Sequence, residues 1–480
     1  MLDHVLRRMG FGASERDLTR YARLPLVGVV GALLNYDRVP GDIDGRIGDA
    51  AYLGTTTRGP FQPDTVINDA RQRWLFRMVH SDRPLQEKLA LFWHNHFATA
   101  YTKIAGTIGG EHATKLMDGK AASVAGNQRG QIQLFRDMAL GRFDELLIEV
   151  ARDPAMLVWL DGRLNVRARP QENFGRELME LFTTGVGHYT EEDVYAAARV
   201  FTGWNLRLQG DRASAATSYY TYVYNAGQHD PTAKTFTFAV MPDGSRTIPA
   251  RPAADGEQDG IDFIRALARR PETAERLARH FFAFFVSELT AAPDALVADM
   301  RETYLANDTS IRAMLVRLFT SREFLDEGAA FTRYSWPVEY VVRAIKETGW
   351  QGLSANDAMT PLVNMGQQLY EPPDVNGWEL GPGWFSTASM LSRMNFASAL
   401  AGNQRFNLQQ ASTAARNSPE ALLDLHVRRF TPAPLSGETT AALLDYLRQG
   451  VTWPLTDAQL ASKASGLARL VVGAAEYQFN

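Results

Sequence analysis

The sequence predicts a mainly α protein: a multi-helix globular chain with one small β or loop insertion around residues 205–258. Three observations predict this. Apolar residues recur at helical spacing through most of the 480 residues. One interval, from about Trp204 to Asp259, breaks that rhythm with Thr- and Tyr-rich runs cut by Gly, Pro and Asp. No Gly-x-Gly-x-x-Gly follows a strand and no phosphate loop is present, so a doubly wound nucleotide fold has no support. Three regions result: 1–204, helical, with most polar candidates; 205–258, the insertion; and 259–480, helical again. A chain this long exceeds one simple core, and two or three subdomains are expected.

The elements follow in order. Asp64 is placed to cap a helix running to about His80, with Trp74, Leu75 and Met78 on its apolar side. Pro84 suits the first turn of the next helix, which carries Leu85, Leu89, Phe92 and Trp93. Phe143 to Val150 and Pro154 to Leu160 read as two short helices. The helix opened by Glu172 stops at Gly185-Val186-Gly187. Thr190 caps its successor, and Asp193 takes the third helical position of a capping box. In the insertion, Ser218 to Tyr224 and Thr235 to Val240 read as short extended runs. Helical spacing resumes at Ile261 and continues through Pro271 to Leu289, Ile311 to Phe324 and Trp336 to Thr348. Gly366 to Trp384 is a Pro-, Gly- and Trp-rich loop, followed by a helix at Met390 to Leu400 and three more.

Composition excludes several classes. A net charge of −4 gives no global footprint for nucleic acid. No run of about 18 apolar residues exists to span a membrane. The absence of cysteine removes disulfides, thiolate zinc sites and cysteine nucleophiles. The opening residues Met1 to Arg8 lack the apolar core of a secretion signal. The compartment stays open: cytoplasmic as the sequence stands, periplasmic or secreted if an export signal has been removed. There is also no Gly-x-Ser-x-Gly elbow and no His-Glu-x-x-His.

Four clusters can carry chemistry. In the run Glu172 to Phe182, Asn173, Glu177 and Glu180 fall at i, i+4 and i+7, beside an apolar stripe of Phe174, Leu178 and Leu181. Carboxylates one turn apart repel by a few tenths of a kcal/mol unless a cation intervenes. Arg176, a metal or a bound cationic group can supply it; a solvated edge with Arg176 pairing locally is the alternative. Next, Trp93-His94-Asn95-His96 closes a helix. On a helix the two imidazoles diverge by about 200°, so His94 and His96 are joint metal ligands only if the helix ends near His94. In the insertion, His229-Asp230 with Lys234 can orient one another for acid–base work, although turns are often built this way. Finally, Trp378 and Trp384 lie on the stiff loop that begins Glu371-Pro372-Pro373. They form either a sugar-stacking platform or, the favoured alternative, plugs of the core.

Taken together these motifs resemble one family, the bacterial domain-of-unknown-function family 1800. The matching pieces are His4 to Arg8 with Phe11-Gly12, Leu91 to Phe97, Glu172 to Phe182 with Gly185 to Val194, and Ala198 to Trp204. His229-Asp230, Pro337-Val338-Glu339 and Pro372 to Trp378 complete the set, in order along nearly the whole chain. The resemblance implies a mostly helical bacterial protein. Members frequently carry an export signal and lie beside a sulfatase-like partner gene.

The expected function is an enzyme acting on a small-molecule or saccharide substrate. In the leading reading, His94, His96 and Glu177 hold a divalent zinc, manganese or iron, and Glu172, Glu177, Glu180, His229 and Asp230 supply catalysis. The reaction would be a metal-assisted hydrolysis or oxidation. Trp93, Asn173, Arg176, Trp204, Lys234, Trp378 and Trp384 would line the substrate. Two alternatives stand beside it. One is a metal-free glycoside hydrolase using Glu172 and Glu177. The other is a non-catalytic helical scaffold for an exported sulfatase-like partner, with its polar clusters as buried networks.

Overall fold

The computed structural model describes residues 1–120, 124–349, 354–402 and 408–480. Among the described residues, 24 α-helices are joined by short 3-10 turns, and two two-stranded antiparallel sheets are the only sheets. The mainly α expectation holds. Buried apolar side chains from Val5 to Tyr477 form one connected core, and among the described residues no helix is long and apolar enough to cross a membrane.

Both sheets lie in the predicted insertion. β1 (Trp204–Gln209) pairs with β2 (Tyr219–Tyr224), Trp204 opposite Tyr224. β3 (Lys234–Thr235) pairs with β4 (Thr247–Ile248) for only two residues. The run expected to extend to Val240 therefore leaves the ladder early. Side-chain bonds dock the insertion instead. The Thr190–Asp193 capping box forms, and Asp193 also accepts from the Thr237 amide at 2.7 Å.

Helix boundaries follow their caps with one correction. Pro84 opens the Pro84–His96 helix as expected. Asp64 does not cap the next helix upstream, which begins at Ile67 after Val66. Its carboxylate instead accepts from Arg73 at 2.9 Å. A cap bond is worth about 1 kcal/mol, and a charge-assisted bond to a buried guanidinium exceeds it.

The Glu172 segment also differs from an unbroken α-helix. Asn173–Glu177 is α-helical, and Leu178–Phe182 continues as a π-helix. Gly175 permits close approach to the following helix, because a Cβ there would sit 2.9 Å from the Ala197 methyl. The wider π turn shifts the register, so the i, i+4, i+7 alignment of Asn173, Glu177 and Glu180 does not persist.

A buried ionic network joins the chain's two ends to the middle. Glu339 accepts from Arg333 Nη1 at 2.7 and 2.6 Å, from the Trp336 amide at 3.0 Å and from Asn480 at 3.2 Å, and it also pairs with Lys88. Burial alone would raise its pKa, but Arg333 and Lys88 hold it at about 2. Arg8 donates to the carbonyls of Val286 and Asn480, and Arg7 pairs with Glu347 at 2.9 Å. The His4 to Arg8 and Pro337 to Glu339 motifs therefore belong to the interior framework.

Candidate active site

A cavity of about 420 Å³ opens where the C-terminal turn of the Pro84–His96 helix meets the Pro271–Phe285 helix and the loop 375–380. That volume falls within the range of small-molecule sites. Its polar lining comes from His96, His280, Arg276, Asn95, Asn376 and Glu379; Phe92, Phe284 and Trp378 supply aromatic walls. Arg276, His280 and Phe284 recur at i, i+4 and i+8, so one helix face presents all three.

The imidazoles touch edge to face, with ring centroids 5.8 Å apart. His96 Nε2 lies 3.1 Å from the Phe182 carbonyl oxygen. A carbonyl only accepts, so Nε2 carries the proton and Nδ1 is the ring's base. His280 makes no hydrogen bond with the described residues. Burial, then His280 and Arg276, depress the pKa of His96 well below the usual imidazole value. Burial and Arg276 lower His280 to about 4. Both rings are neutral at pH 7.

The π-helix contributes directly. Its last carbonyls turn outward: Phe182 O accepts from His96, and Leu181 O accepts from Arg276 Nε at 3.3 Å. Gly185, at φ +86°, leaves room for the guanidinium, since a Cβ there would stand 3.1 Å from Arg276 Nη1.

The opposite wall is clamped by Asn95. Its Oδ1 accepts from the Trp378 amide at 2.6 Å, and its Nδ2 donates to the Trp378 carbonyl at 3.4 Å. Gly377 has φ +82°, and a Cβ there would meet Asn95 O and Oδ1 at 2.5 Å. Glu288 accepts from the Gly381 amide at 2.5 Å, just beyond the loop's far end. The Trp93 to His96 motif and the Pro372 to Trp378 motif are thus two halves of one wall.

Several sequence-predicted residues sit elsewhere. The helix runs on through His96, so His94 and His96 diverge as helical geometry requires. His94 is fully buried against Trp74, Tyr370 and Trp378, with neither ring nitrogen bonded, and burial lowers its pKa to about 3. Glu177 is half-buried, makes no hydrogen bond or ion pair with the described residues, and is raised by burial and then by Glu180. Among the described residues no group of three or more His, Asp and Glu is placed to hold a metal ion. His94, His96 and Glu177 therefore do not form a ligand set.

The remaining candidates are engaged in structure. Glu172 is exposed and pairs with Arg176, which also holds Glu191 at 2.7 Å. Asn173 is exposed, and Glu180 accepts from the Tyr189 hydroxyl. His229 and Lys234 are fully buried, and Asp230 partly so. His229 Nδ1 donates to the Thr202 carbonyl at 2.8 Å, leaving Nε2 to accept from Lys234 at 3.3 Å. Lys234 pairs with Asp259 at 2.5 Å, and Arg251 holds the other Asp259 oxygen at 3.1 Å. Asp230 accepts from Arg199 at 2.7 Å, which with Thr232 outweighs burial and depresses its pKa. This cluster docks the insertion and lines no wall of the cavity. Trp93 and Trp204 are core residues; Trp93 Nε1 donates to the Ala139 carbonyl at 3.2 Å. Trp384 is a 7% exposed plug, and Trp378, 3% exposed, is a plug whose edge borders the cavity.

Of the cavity's lining, the sequence singles out His96 and Trp378 as candidates and passes over His280, Arg276 and Glu379. The spacing of Arg276, His280 and Phe284 was available, but it sits inside a strongly amphipathic helix where it reads as ordinary patterning.

These features define a mainly α protein with one cavity that gathers a guanidinium and two neutral imidazoles. The chain belongs to the domain-of-unknown-function family 1800, described as a protein of unknown function, whose family model matches residues 4–479. No curated protein and no solved structure matches it.

Proposed function

We propose that this chain is an enzyme acting on a small molecule in the His96–His280 cavity, with the imidazole pair as general base and hydrolysis as the reaction. One observation carries the reading: two proton-free imidazoles and a cation converge in a cavity of small-molecule size. In this scheme an imidazole nitrogen takes a proton from bound water. The water oxygen adds to the substrate's electrophilic carbon, and the imidazolium returns the proton to the departing oxygen. The Phe182 carbonyl fixes the His96 tautomer, and the aromatic walls exclude bulk water. The two-carboxylate alternative finds less support, because Glu172 is exposed and held by Arg176.

His280 is the cleaner test position, because its ring makes no hydrogen bond among the described residues. Hydrolysis of a panel of small p-nitrophenyl esters by the native protein and by His280→Gln is the assay. The expected result is a loss of about 10²- to 10⁴-fold in kcat/KM with an unchanged thermal midpoint. Equal rates in both proteins, or no hydrolysis of any ester by the native protein, would overturn the hydrolase reading and favour the scaffold.

A further inference from the structure

We infer that the cavity selects a small monocarboxylate with an apolar body, its carboxylate held by Arg276; this rests on the cavity being the functional site. Half-buried Arg199, Arg251 and Arg270 each hold a carboxylate of the protein. Arg276, equally half-buried, forms no ion pair with the described residues. Its Nε is tethered to the Leu181 carbonyl at 3.3 Å, which fixes the guanidinium plane, and neither Nη has an acceptor among the described residues. Glu180 acts on it only through its field, its own Oε2 being taken by Tyr189. A partly desolvated guanidinium with a free edge is a fork for a planar two-oxygen anion.

The charge balance sets the valence of that anion. The imidazoles are neutral, Arg276 contributes one positive charge, and Glu379 places one negative charge at the rim. A monoanion pairs one to one with the single cation, whereas a phosphate dianion brings a second charge that no further cation of the lining meets. The remaining lining sets the body. Phe92, Phe284 and Trp378 face the same space, so an aromatic or branched apolar group fills what the carboxylate leaves. An anion seated on Arg276 also neutralises the cation that helps keep His280 unprotonated, so occupancy raises that imidazole's affinity for a proton.

The test uses the full chain and four probes: benzoate, benzamide, acetate and inorganic phosphate. Binding is followed by calorimetry and by the ring resonances of His96 and His280. Benzoate is expected to bind at least about tenfold tighter than benzamide, acetate and phosphate. At pH 7, where the fold is most stable, it should shift the His280 ring resonances further than benzamide does. Arg276→Gln should erase the preference for benzoate over benzamide while retaining benzamide binding, and Arg276→Lys should retain part of it. Retained benzamide binding shows that the Gln variant is folded; if it is lost, the Lys variant decides.

Equal binding of benzoate and benzamide overturns the carboxylate assignment and leaves the cavity reading standing. Tighter binding of phosphate overturns the monoanion assignment. If no probe moves either histidine resonance, the cavity reading and this inference fall together.

Discussion

A single residue, Asn95, decides the shape of the candidate site. Its amide pairs with both backbone groups of Trp378, as a β-strand neighbour would. Asn95→Ala leaves the Trp378 amide without its acceptor, a cost of about 1–3 kcal/mol. Gly377→Ala adds a Cβ 2.5 Å from Asn95 in a left-handed backbone, and should destabilise by more than the roughly 1 kcal/mol of that conformation alone. Denaturant unfolding checks both, and a loss under 0.5 kcal/mol in either would contradict the clamp. Before the fold is known, Asn95 reads as a spacer between two candidate ligands. Its role depends on a loop more than 280 residues away, which no local spacing reveals. His94 misleads for a similar reason: an imidazole beside aromatics looks like a ligand, yet three rings enclose it without a bonding partner.

At the scale of elements, most helices are legible because their periodicity and caps agree. The Pro84 start, the Thr190 capping box and the strand-bearing interval all stand where the sequence puts them. The π turn at Leu178–Phe182 is not legible, since apolar spacing over five residues cannot separate it from an α turn. It matters because it delivers two carbonyls to Arg276 and His96. The insertion's attachment is equally hidden, as Asp259 lies outside the His229-Asp230 motif that it completes. β3 and β4 share only two paired residues, and the buried ion cluster joins the buried Phe236, Val240 and Ile248 and the Asp193–Thr237 bond in docking them. Asp259→Asn leaves the buried Lys234 without its counter-ion, while Arg251 keeps Asp262, and should cost about 3–5 kcal/mol. The paired change Lys234→Met with Asp259→Leu should recover part of that loss, because an apolar replacement of both partners leaves fewer buried charges unpaired. If the double variant is less stable than Asp259→Asn, the cluster contributes more than charge compensation.

For the whole molecule, the interior is unusually rich in paired and neutralised ionisable groups, and that sets its response to acid. His4 and His94 are lowered to about 3, His80, His280 and His426 to about 4, and His96 well below the usual imidazole value, in every case chiefly by burial. A histidine unfolded at about 6.5 and folded below 4 takes up a proton when the chain unfolds. Its stabilising neutrality is complete above pH 6.5 and is lost as pH falls towards the folded pKa. Asp153 and Glu347 oppose this, since burial raises each to about 7. Each favours the folded state below its unfolded value near 4 and loses that contribution as pH rises to 7. The lowered imidazoles outnumber the raised carboxylates Asp153, Glu177, Glu288 and Glu347, so unfolding on balance takes up protons between pH 6.5 and 4.5. Stability should therefore be highest near neutrality and fall sharply from pH 6.5 to 5, before the salt-bridged Glu339 titrates at about 2. Urea unfolding at pH 7.5, 6.0 and 5.0 measures this. A stability unchanged across those three values would mean that the buried imidazoles take up protons in the folded state as readily as in the unfolded chain.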